Sequence, residues 1–119
     1  MKTCLTKTVM SFFLTLLMVA HVSAHTALDH AEPRVGNTVA SPPSEVILYF
    51  TQKLEAAFST VTVTGPSGQR VDSGEARVSG SQMSISLKGG GAGTYRVNWR
   101  VLSVDTHKSD GNFIFQVGP

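Results

Sequence analysis

The feature that most constrains the fold is an alternation of apolar and polar residues over Thr94–Val104, with the sequence TYRVNWRVLSV. The apolar side chains recur at every second position, at Tyr95, Val97, Trp99 and Val101. Because successive side chains of a β-strand point to opposite faces, this pattern predicts a strand with one buried and one solvated face. The solvated face carries Arg96, Asn98 and Arg100. We expect Tyr95 and Trp99 to anchor a hydrophobic core.

Shorter segments of similar character occupy the rest of the chain, separated by turn signals such as Gly65-Pro66-Ser67-Gly68 and the glycine-rich loop Lys88–Gly93. We predict further strands over Glu45–Thr51, Ser59–Thr64, Arg70–Val78, Gln82–Leu87 and Asn112–Val117. A single helical turn over Leu54–Phe58 is the only hint of helix. About seven strands without a convincing helix predict an all-β domain, either a Greek-key β-sandwich or a small barrel.

Residues 1–24 have the three parts of a secretory signal peptide. Lys2 and Lys7 supply positive charge, Val9–Ala20 forms an apolar core, and Val22-Ser23-Ala24 supplies small residues for signal peptidase. The apolar core is shorter than the ~20 residues that a membrane-spanning helix needs, and no other segment is a candidate. We therefore predict export, cleavage after Ala24, and one soluble domain over residues 25–119 that is not inserted in a membrane.

The charge of the predicted mature domain is close to zero. The whole chain has 10 Lys and Arg residues and 8 Asp and Glu residues. Lys2 and Lys7 leave with the signal peptide, so basic and acidic side chains balance. Since no basic cluster occurs, nucleic acid and anionic membrane surfaces are not expected partners. The only cysteine, Cys4, also lies in the signal peptide, which excludes disulfides and thiolate metal ligands from the mature domain.

Cleavage after Ala24 would make His25 the first residue of the mature protein. Its free α-amino group and its imidazole Nδ1 could then chelate one metal ion in a six-membered ring. Copper(II) prefers nitrogen and oxygen donors in a tetragonal plane. The predicted cleavage site therefore indicates half of a copper(II) site, although a frayed terminus with an incidental histidine is the simpler alternative.

A second candidate pair lies in the loop between the two clearest strands, where Asp105 and His107 are two residues apart. In extended backbone such residues point to the same side, so a carboxylate and an imidazole could face one ion. The Asp-x-His triplet alone is common and also fits a plain turn. Combined with His25, however, it gives three nitrogen donors and one oxygen donor, which matches a four-coordinate tetragonal copper(II) site.

Other candidates for chemistry are weaker. His30 is interpreted as a solvated surface histidine, although it could form a weak secondary site. No nucleophile elbow occurs, and the glycine loop lacks the lysine and helix of a phosphate-binding motif. Met83 is the only methionine outside the predicted signal peptide, so a methionine-rich copper(I) site cannot be built.

The segment Gly93–His107 (GTYRVNWRVLSVDTH), followed by Gly111 and the strand Phe113–Val117 (FIFQV), resembles the C-terminal signature of the CopC family of periplasmic copper-resistance proteins. The N-terminal half agrees more loosely, through His25, the Pro33 region and the apolar strand ending at Tyr49-Phe50. The resemblance spans essentially the whole predicted mature domain.

The resemblance implies an immunoglobulin-like Greek-key β-barrel that binds copper in the periplasm and is not an enzyme. It implies copper(II) ligands at the His25 amine and imidazole, Asp105 and His107. With Met83 alone in the middle of the chain, the sequence resembles the copper(II)-only branch. Sequestration, resistance or delivery are the expected roles. The partner would be an inner-membrane copper transporter or another periplasmic carrier.

Two alternatives remain open on the sequence alone. Lytic polysaccharide monooxygenases also combine an N-terminal histidine chelate with a second histidine on a β-sandwich, so a small copper-dependent oxidative enzyme is one alternative. Against it, a domain of 95 residues leaves little room for a substrate surface, and Asp105 would occupy a position that oxygen needs. The other alternative is a structural β-domain with an incidental metal site.

Overall fold

The computed structural model describes residues 27–119, which form two four-stranded β-sheets packed face to face. The strands are β1 (Leu28–Glu32), β2 (Thr38–Val39), β3 (Glu45–Phe50), β4 (Thr60–Thr64), β5 (Asp72–Ser79), β6 (Gln82–Leu87), β7 (Gly93–Leu102) and β8 (Lys108–Val117). A 3-10 turn at Ala56–Phe58 lies within the predicted helical segment. Within residues 27–119 no helix is long and apolar enough to cross a membrane.

The topology is that of a Greek-key sandwich. One sheet has the strand order β1-β3-β6-β5 and the other has the order β2-β8-β7-β4. The chain crosses between the sheets, so that β3 pairs with β6 and β4 pairs with β7, although neither pair is consecutive in sequence. All neighbouring strands are antiparallel except β2 and β8. The predicted all-β, immunoglobulin-like sandwich is confirmed.

The core lies between the sheets and follows the predicted alternation. On β7, Tyr95 and Val97 are fully buried, whereas the alternating residues Thr94, Arg96 and Asn98 are exposed. Tyr95 stacks on Phe115 of β8 with ring centroids 5.1 Å apart, and its hydroxyl donates to the Gly91 carbonyl at 2.7 Å. The other buried apolar residues are Ala31, Val46, Leu48, Phe50, Leu54, Val61, Val63, Val71, Met83, Ile85, Val101, Phe113 and Val117.

The number of strands and some strand bounds differ from the predictions. Strand β7 ends at Leu102 rather than Val104, and β5 begins at Asp72 rather than Arg70. The structure has eight strands rather than about seven, because β2 is a two-residue strand that pairs with the end of β8. Strand β8 begins at Lys108 rather than Asn112, because the polar residues Lys108–Gly111 continue the backbone pairing with β7. Such residues carry no apolar periodicity, so the hairpin is longer than its hydrophobic pattern indicates.

Trp99 packs against the core but is only half-buried. It lies opposite Gly111 on β8, and a Cβ atom at Gly111 would come within 2.6 Å of the indole ring. The indole also meets the Phe50 ring edge-on, at 5.1 Å between centroids. Trp99 therefore fills the space that the glycine leaves and connects β7 to the end of β3.

Candidate metal centre

Asp105 and His107 lie in the loop that joins β7 to β8 at one end of the sandwich. The expectation of extended backbone at this pair was wrong, because the loop is a tight turn. The Ser103 N–H donates to the His107 carbonyl, and the Thr106 N–H donates to the Ser103 carbonyl, both at 2.9 Å. Thr106 has φ 72°, which is rare for a β-branched residue. The turn, rather than strand periodicity, brings the carboxylate and the imidazole together.

The side chains of the pair face each other, with His107 Nδ1 3.2 Å from Asp105 Oδ1. Both are accessible to solvent, since the exposed fractions of the two side chains are 43% for Asp105 and 45% for His107. The Ser103 hydroxyl, followed by His107, lowers the pKa of the Asp105 carboxyl through hydrogen bonding. Asp105 is therefore ionised at neutral pH and can act as an anionic ligand.

Ser103 is a functional candidate that the sequence analysis did not identify. It is fully buried, and its hydroxyl donates to Asp105 Oδ1. The same hydroxyl accepts the His107 N–H at 3.1 Å. A signal was present, because Ser103 continues the inward-facing series of Tyr95, Val97, Trp99 and Val101. A hydroxyl in a core position two residues before a carboxylate indicates a polar contact rather than packing.

The segment Thr51–Glu55, which we call the bridging segment, connects this loop to the first described residue of the chain. At one end, the Ala27 N–H donates to Thr51 Oγ1 at 3.0 Å, and the Thr51 N–H donates to the Ala27 carbonyl at 2.9 Å. Further along, the Val104 N–H donates to the Lys53 carbonyl at 2.9 Å. Ala27 and the Asp105–His107 loop are therefore both hydrogen-bonded to one short stretch of chain.

The predicted ligand His25 lies outside the described residues. His30 is on β1, where its ring stacks on Tyr49 at 4.2 Å and its Nδ1 lies 2.7 Å from Asp29 Oδ2. Within residues 27–119 no three His, Cys, Asp or Glu side chains form a group that could hold a metal ion. Among the described residues, Asp105 and His107 therefore come together as a pair without a third side chain of this kind, and His30 is not part of that pair.

The spacing of the Asp105–His107 pair fits two neighbouring ligands of one transition-metal ion. Donors that lie 2.0–2.1 Å from a metal are separated by about 2.9 Å at a right angle and by about 3.4 Å at the tetrahedral angle. The observed separation of 3.2 Å between His107 Nδ1 and Asp105 Oδ1 falls between these values. The two side chains can therefore bind the same ion with only a small adjustment.

A family model described as the CopC domain matches residues 28–118. The chain belongs to the CopC family. The matched range contains all eight strands, from the first residue of β1 to the last residue of β8.

Individual CopC relatives agree with this assignment. Copper resistance protein C from Escherichia coli is 32% identical, over 95% of this chain and 97% of the relative. The crystal structure of CopC from Methylosinus trichosporium OB3b has a TM-score of 0.73 and 30% identity, over 80% of this chain and 95% of that one. The crystal structure of PcoC, a methionine-rich copper resistance protein from Escherichia coli, has a TM-score of 0.68 and 33% identity. The match covers 79% of this chain and 99% of that one.

Proposed function

We propose that this protein is an exported copper(II)-binding protein that sequesters or delivers the ion. The ligands in this proposal are the α-amine and imidazole of His25, exposed by cleavage after Ala24, together with Asp105 and His107. Family membership and the copper-resistance names of the relatives support copper as the ion. The periplasm is the proposed compartment, because the predicted signal peptide would export the chain.

The observation that carries the proposal is the anchoring of Ala27 and the loop to the bridging segment. Thr51, which holds Ala27, and Lys53, which holds Val104, are two residues apart, so their Cα atoms are at most about 7 Å apart. His25 is two residues before Ala27 and can extend about 7 Å from it. Because Ala27 and the loop are held by the same short segment, we propose that a processed terminus at His25 extends toward the end of the sandwich that carries Asp105 and His107.

The donor set favours copper(II) over copper(I). Two imidazoles, one amine and one carboxylate suit copper(II), whereas copper(I) prefers the sulfur of cysteine and methionine. Met83 is fully buried in the core, and residues 27–119 contain no cysteine. PcoC, by contrast, is described as methionine rich. We therefore place this chain among copper(II) binders.

A site with four protein donors favours binding over catalysis. Once two nitrogens of His25 and one donor each from Asp105 and His107 fill the plane, little room remains there for a substrate. Three of the matched relatives are named copper resistance protein C. We propose a carrier that passes copper to an inner-membrane transporter or to another periplasmic carrier.

The test compares mature protein beginning at His25 with a variant that carries one extra glycine before His25. The extra residue converts the chelating amine into an amide and leaves the fold unchanged. We expect one tightly bound copper(II) per mature chain, with an electron paramagnetic resonance spectrum of three nitrogens and one oxygen. The extended variant and His107→Ala should both lose tight binding.

His30→Ala is the matched control, because His30 is exposed and belongs to β1 rather than to the loop. It should bind copper(II) like the unmodified protein. Equal affinity in the extended variant and the mature protein would contradict the proposed ligand set. So would mass spectrometry of the exported protein showing an N-terminus other than His25.

A further inference from the structure

We propose that Ser103 is a positioning residue that holds the Asp105 carboxylate in its metal-binding orientation through a hydrogen bond from its hydroxyl to Asp105 Oδ1. This inference rests on the proposed function, since it concerns the same site. Ser103 is not a ligand in this proposal. It acts from the core on a side chain that is itself exposed to solvent.

The hydrogen-bonding capacity of the hydroxyl determines where its single proton goes. A serine hydroxyl has one proton to donate and two lone pairs to accept with. The His107 N–H, 3.1 Å away, uses one lone pair. The hydroxyl proton has two acceptors in reach, Asp105 Oδ1 and the His107 carbonyl at 3.3 Å. That carbonyl already accepts the Ser103 N–H at 2.9 Å, and the charged carboxylate is the stronger acceptor, so the proton is donated to Asp105.

This arrangement gives the two carboxylate oxygens different surroundings, and Oδ1 is the oxygen that would face the same ion as His107 Nδ1 in the proposed site. Ser103 Oγ and His107 Nδ1 both lie against Oδ1, and within residues 27–119 no hydrogen bond reaches Oδ2. The carboxylate is thereby prevented from rotating freely, although 43% of the side chain is exposed. A ligand with a fixed orientation loses less conformational entropy when a metal ion binds.

The position of Ser103 explains why this contact is rigid. Ser103 is fully buried, forms an isolated β-bridge with Leu54 of the bridging segment, and directly follows the last residue of β7. Its side-chain contacts are to Asp105 and His107, the two candidate ligands. The buried Ser103 hydroxyl therefore connects the core of the sandwich to the loop that carries the proposed site.

Thr106 offers a matched control within the same turn. Its hydroxyl is also directed at Asp105, but it donates to the backbone carbonyl rather than to the carboxylate. Thr106→Ala therefore removes a hydroxyl from the loop without changing the contacts of the Asp105 side chain. Ser103→Ala removes the hydroxyl that contacts the carboxylate. Ser103→Thr retains a hydroxyl at that position.

The experiment measures copper(II) affinity by competition with a chelator, together with the electron paramagnetic resonance spectrum, for the mature protein and the three variants. Loss of an outer contact to a metal ligand typically lowers affinity 10–100-fold, so we expect a decrease of about 10- to 100-fold for Ser103→Ala. Its spectrum should also change, because the carboxylate oxygen is no longer fixed. Thr106→Ala should match the unmodified protein, and Ser103→Thr should recover most of the affinity.

The possible outcomes separate this inference from the proposed function. If the unmodified mature protein does not bind copper(II), the proposed function fails. If it binds and Ser103→Ala binds with the same affinity and spectrum, only the Ser103 inference fails. Equal losses in Ser103→Ala and Thr106→Ala would also overturn it, because they would indicate general loosening of the turn.

A metal-free measurement keeps the inference testable if the alanine variant unfolds. The His107 amide proton is donated to the Ser103 hydroxyl, so its hydrogen-exchange rate reports on that contact. In Ser103→Thr we expect slow exchange of this proton together with nearly unchanged copper(II) affinity. Slow exchange with an affinity at least ten times weaker would overturn the positioning role.

Discussion

Asp72 and Asp105 each lie two residues from a basic partner in the sequence, but they differ in solvent exposure and in hydrogen bonding. The Asp72 side chain is only 5% exposed and receives hydrogen bonds on both oxygens. Oδ1 accepts from Arg70 Nε at 2.7 Å and from the Val63 N–H at 2.8 Å, and Oδ2 accepts from Arg70 Nη2 at 2.7 Å. The Asp105 side chain is 43% exposed, and its contacts within residues 27–119 converge on Oδ1.

The difference shows that residue spacing does not separate a structural carboxylate from a candidate ligand. Asp72 is on β5 in one sheet and binds the backbone of β4 in the other, so it links the two layers of the sandwich. Both of its carboxylate oxygens accept hydrogen bonds. Asp105 projects from a loop, its side chain is exposed to solvent, and within residues 27–119 its Oδ2 accepts no hydrogen bond. Exposure and unused acceptor capacity are what identify a possible site.

The largest expected effect concerns copper(II) and Asp105. Asp105→Asn removes the anionic ligand but retains the shape of the side chain. We expect copper(II) affinity to fall at least about 100-fold, because losing even an outer contact to a metal ligand lowers metal affinity 10–100-fold. Competition with a chelator of known affinity measures this decrease.

Asp72→Asn is the matched control for that experiment, because it makes the same chemical change at the buried carboxylate. Copper(II) affinity should remain within about threefold of the unmodified protein, since Asp72 is on β5 and outside the loop that carries the site. A comparable loss of affinity in both variants would contradict the division between a structural and a metal-binding carboxylate.

The second-largest effect is on stability, where we expect Asp72→Asn to be the more damaging variant and Asp105→Asn the less damaging one. Asp72→Asn loses a charged, bidentate interaction with Arg70, and hydrogen bonds to charged groups contribute about 1.5–3 kcal/mol. Because Arg70 is exposed, we expect the lower end, about 1.5 kcal/mol, in the free energy of unfolding. For a domain of this size that corresponds to a Tm about 6–12 °C lower.

Urea unfolding followed by the fluorescence of Trp99, the only tryptophan, measures this change. In the metal-free protein, Asp105→Asn should change the free energy of unfolding by less than Asp72→Asn does. A larger destabilisation by Asp105→Asn would mean that the loop carboxylate has the main structural role, which would invert the comparison.

The stabilisation by Asp72 should also depend on pH. The Arg70 guanidinium, through its hydrogen bonds, lowers the pKa of the Asp72 carboxyl in the folded protein. The contribution is therefore complete above the unfolded-state pKa of about 3.9 and is lost as pH falls through the lowered folded-state pKa. The stability difference between the unmodified protein and Asp72→Asn should be constant from pH 7 to about 5 and shrink below about 4. A difference that persists unchanged at pH 2.5 would contradict this assignment.

The sequence predicts the strands better than it predicts the contacts of the candidate site. Periodicity identifies β7 because its inward residues are apolar over most of its length, and it misses the start of β8 because Lys108–Gly111 are polar. Strand β2 has only two residues and depends on pairing with the distant end of β8, which no local pattern reports. The proximity of Asp105 and His107 was expected, but for the wrong reason. It results from a local turn held by Ser103, whose contacts strand periodicity does not report.

The smallest effect is expected from a third carboxylate, Glu45, which forms an ion pair with Arg77 at 3.1 Å. This pair joins β3 to β5 across β6, as Asp72 joins β5 to β4, but both side chains are about half exposed. Solvent screens such a pair, and exposed ion pairs contribute about 0–1 kcal/mol. Glu45→Gln should therefore lower the free energy of unfolding by less than about 0.5 kcal/mol and leave copper(II) affinity unchanged. Both variants replace a carboxylate with an amide, so comparing their urea unfolding measures how much burial of the carboxylate adds to the destabilisation. Equal destabilisation by Glu45→Gln and Asp72→Asn would contradict the role of burial.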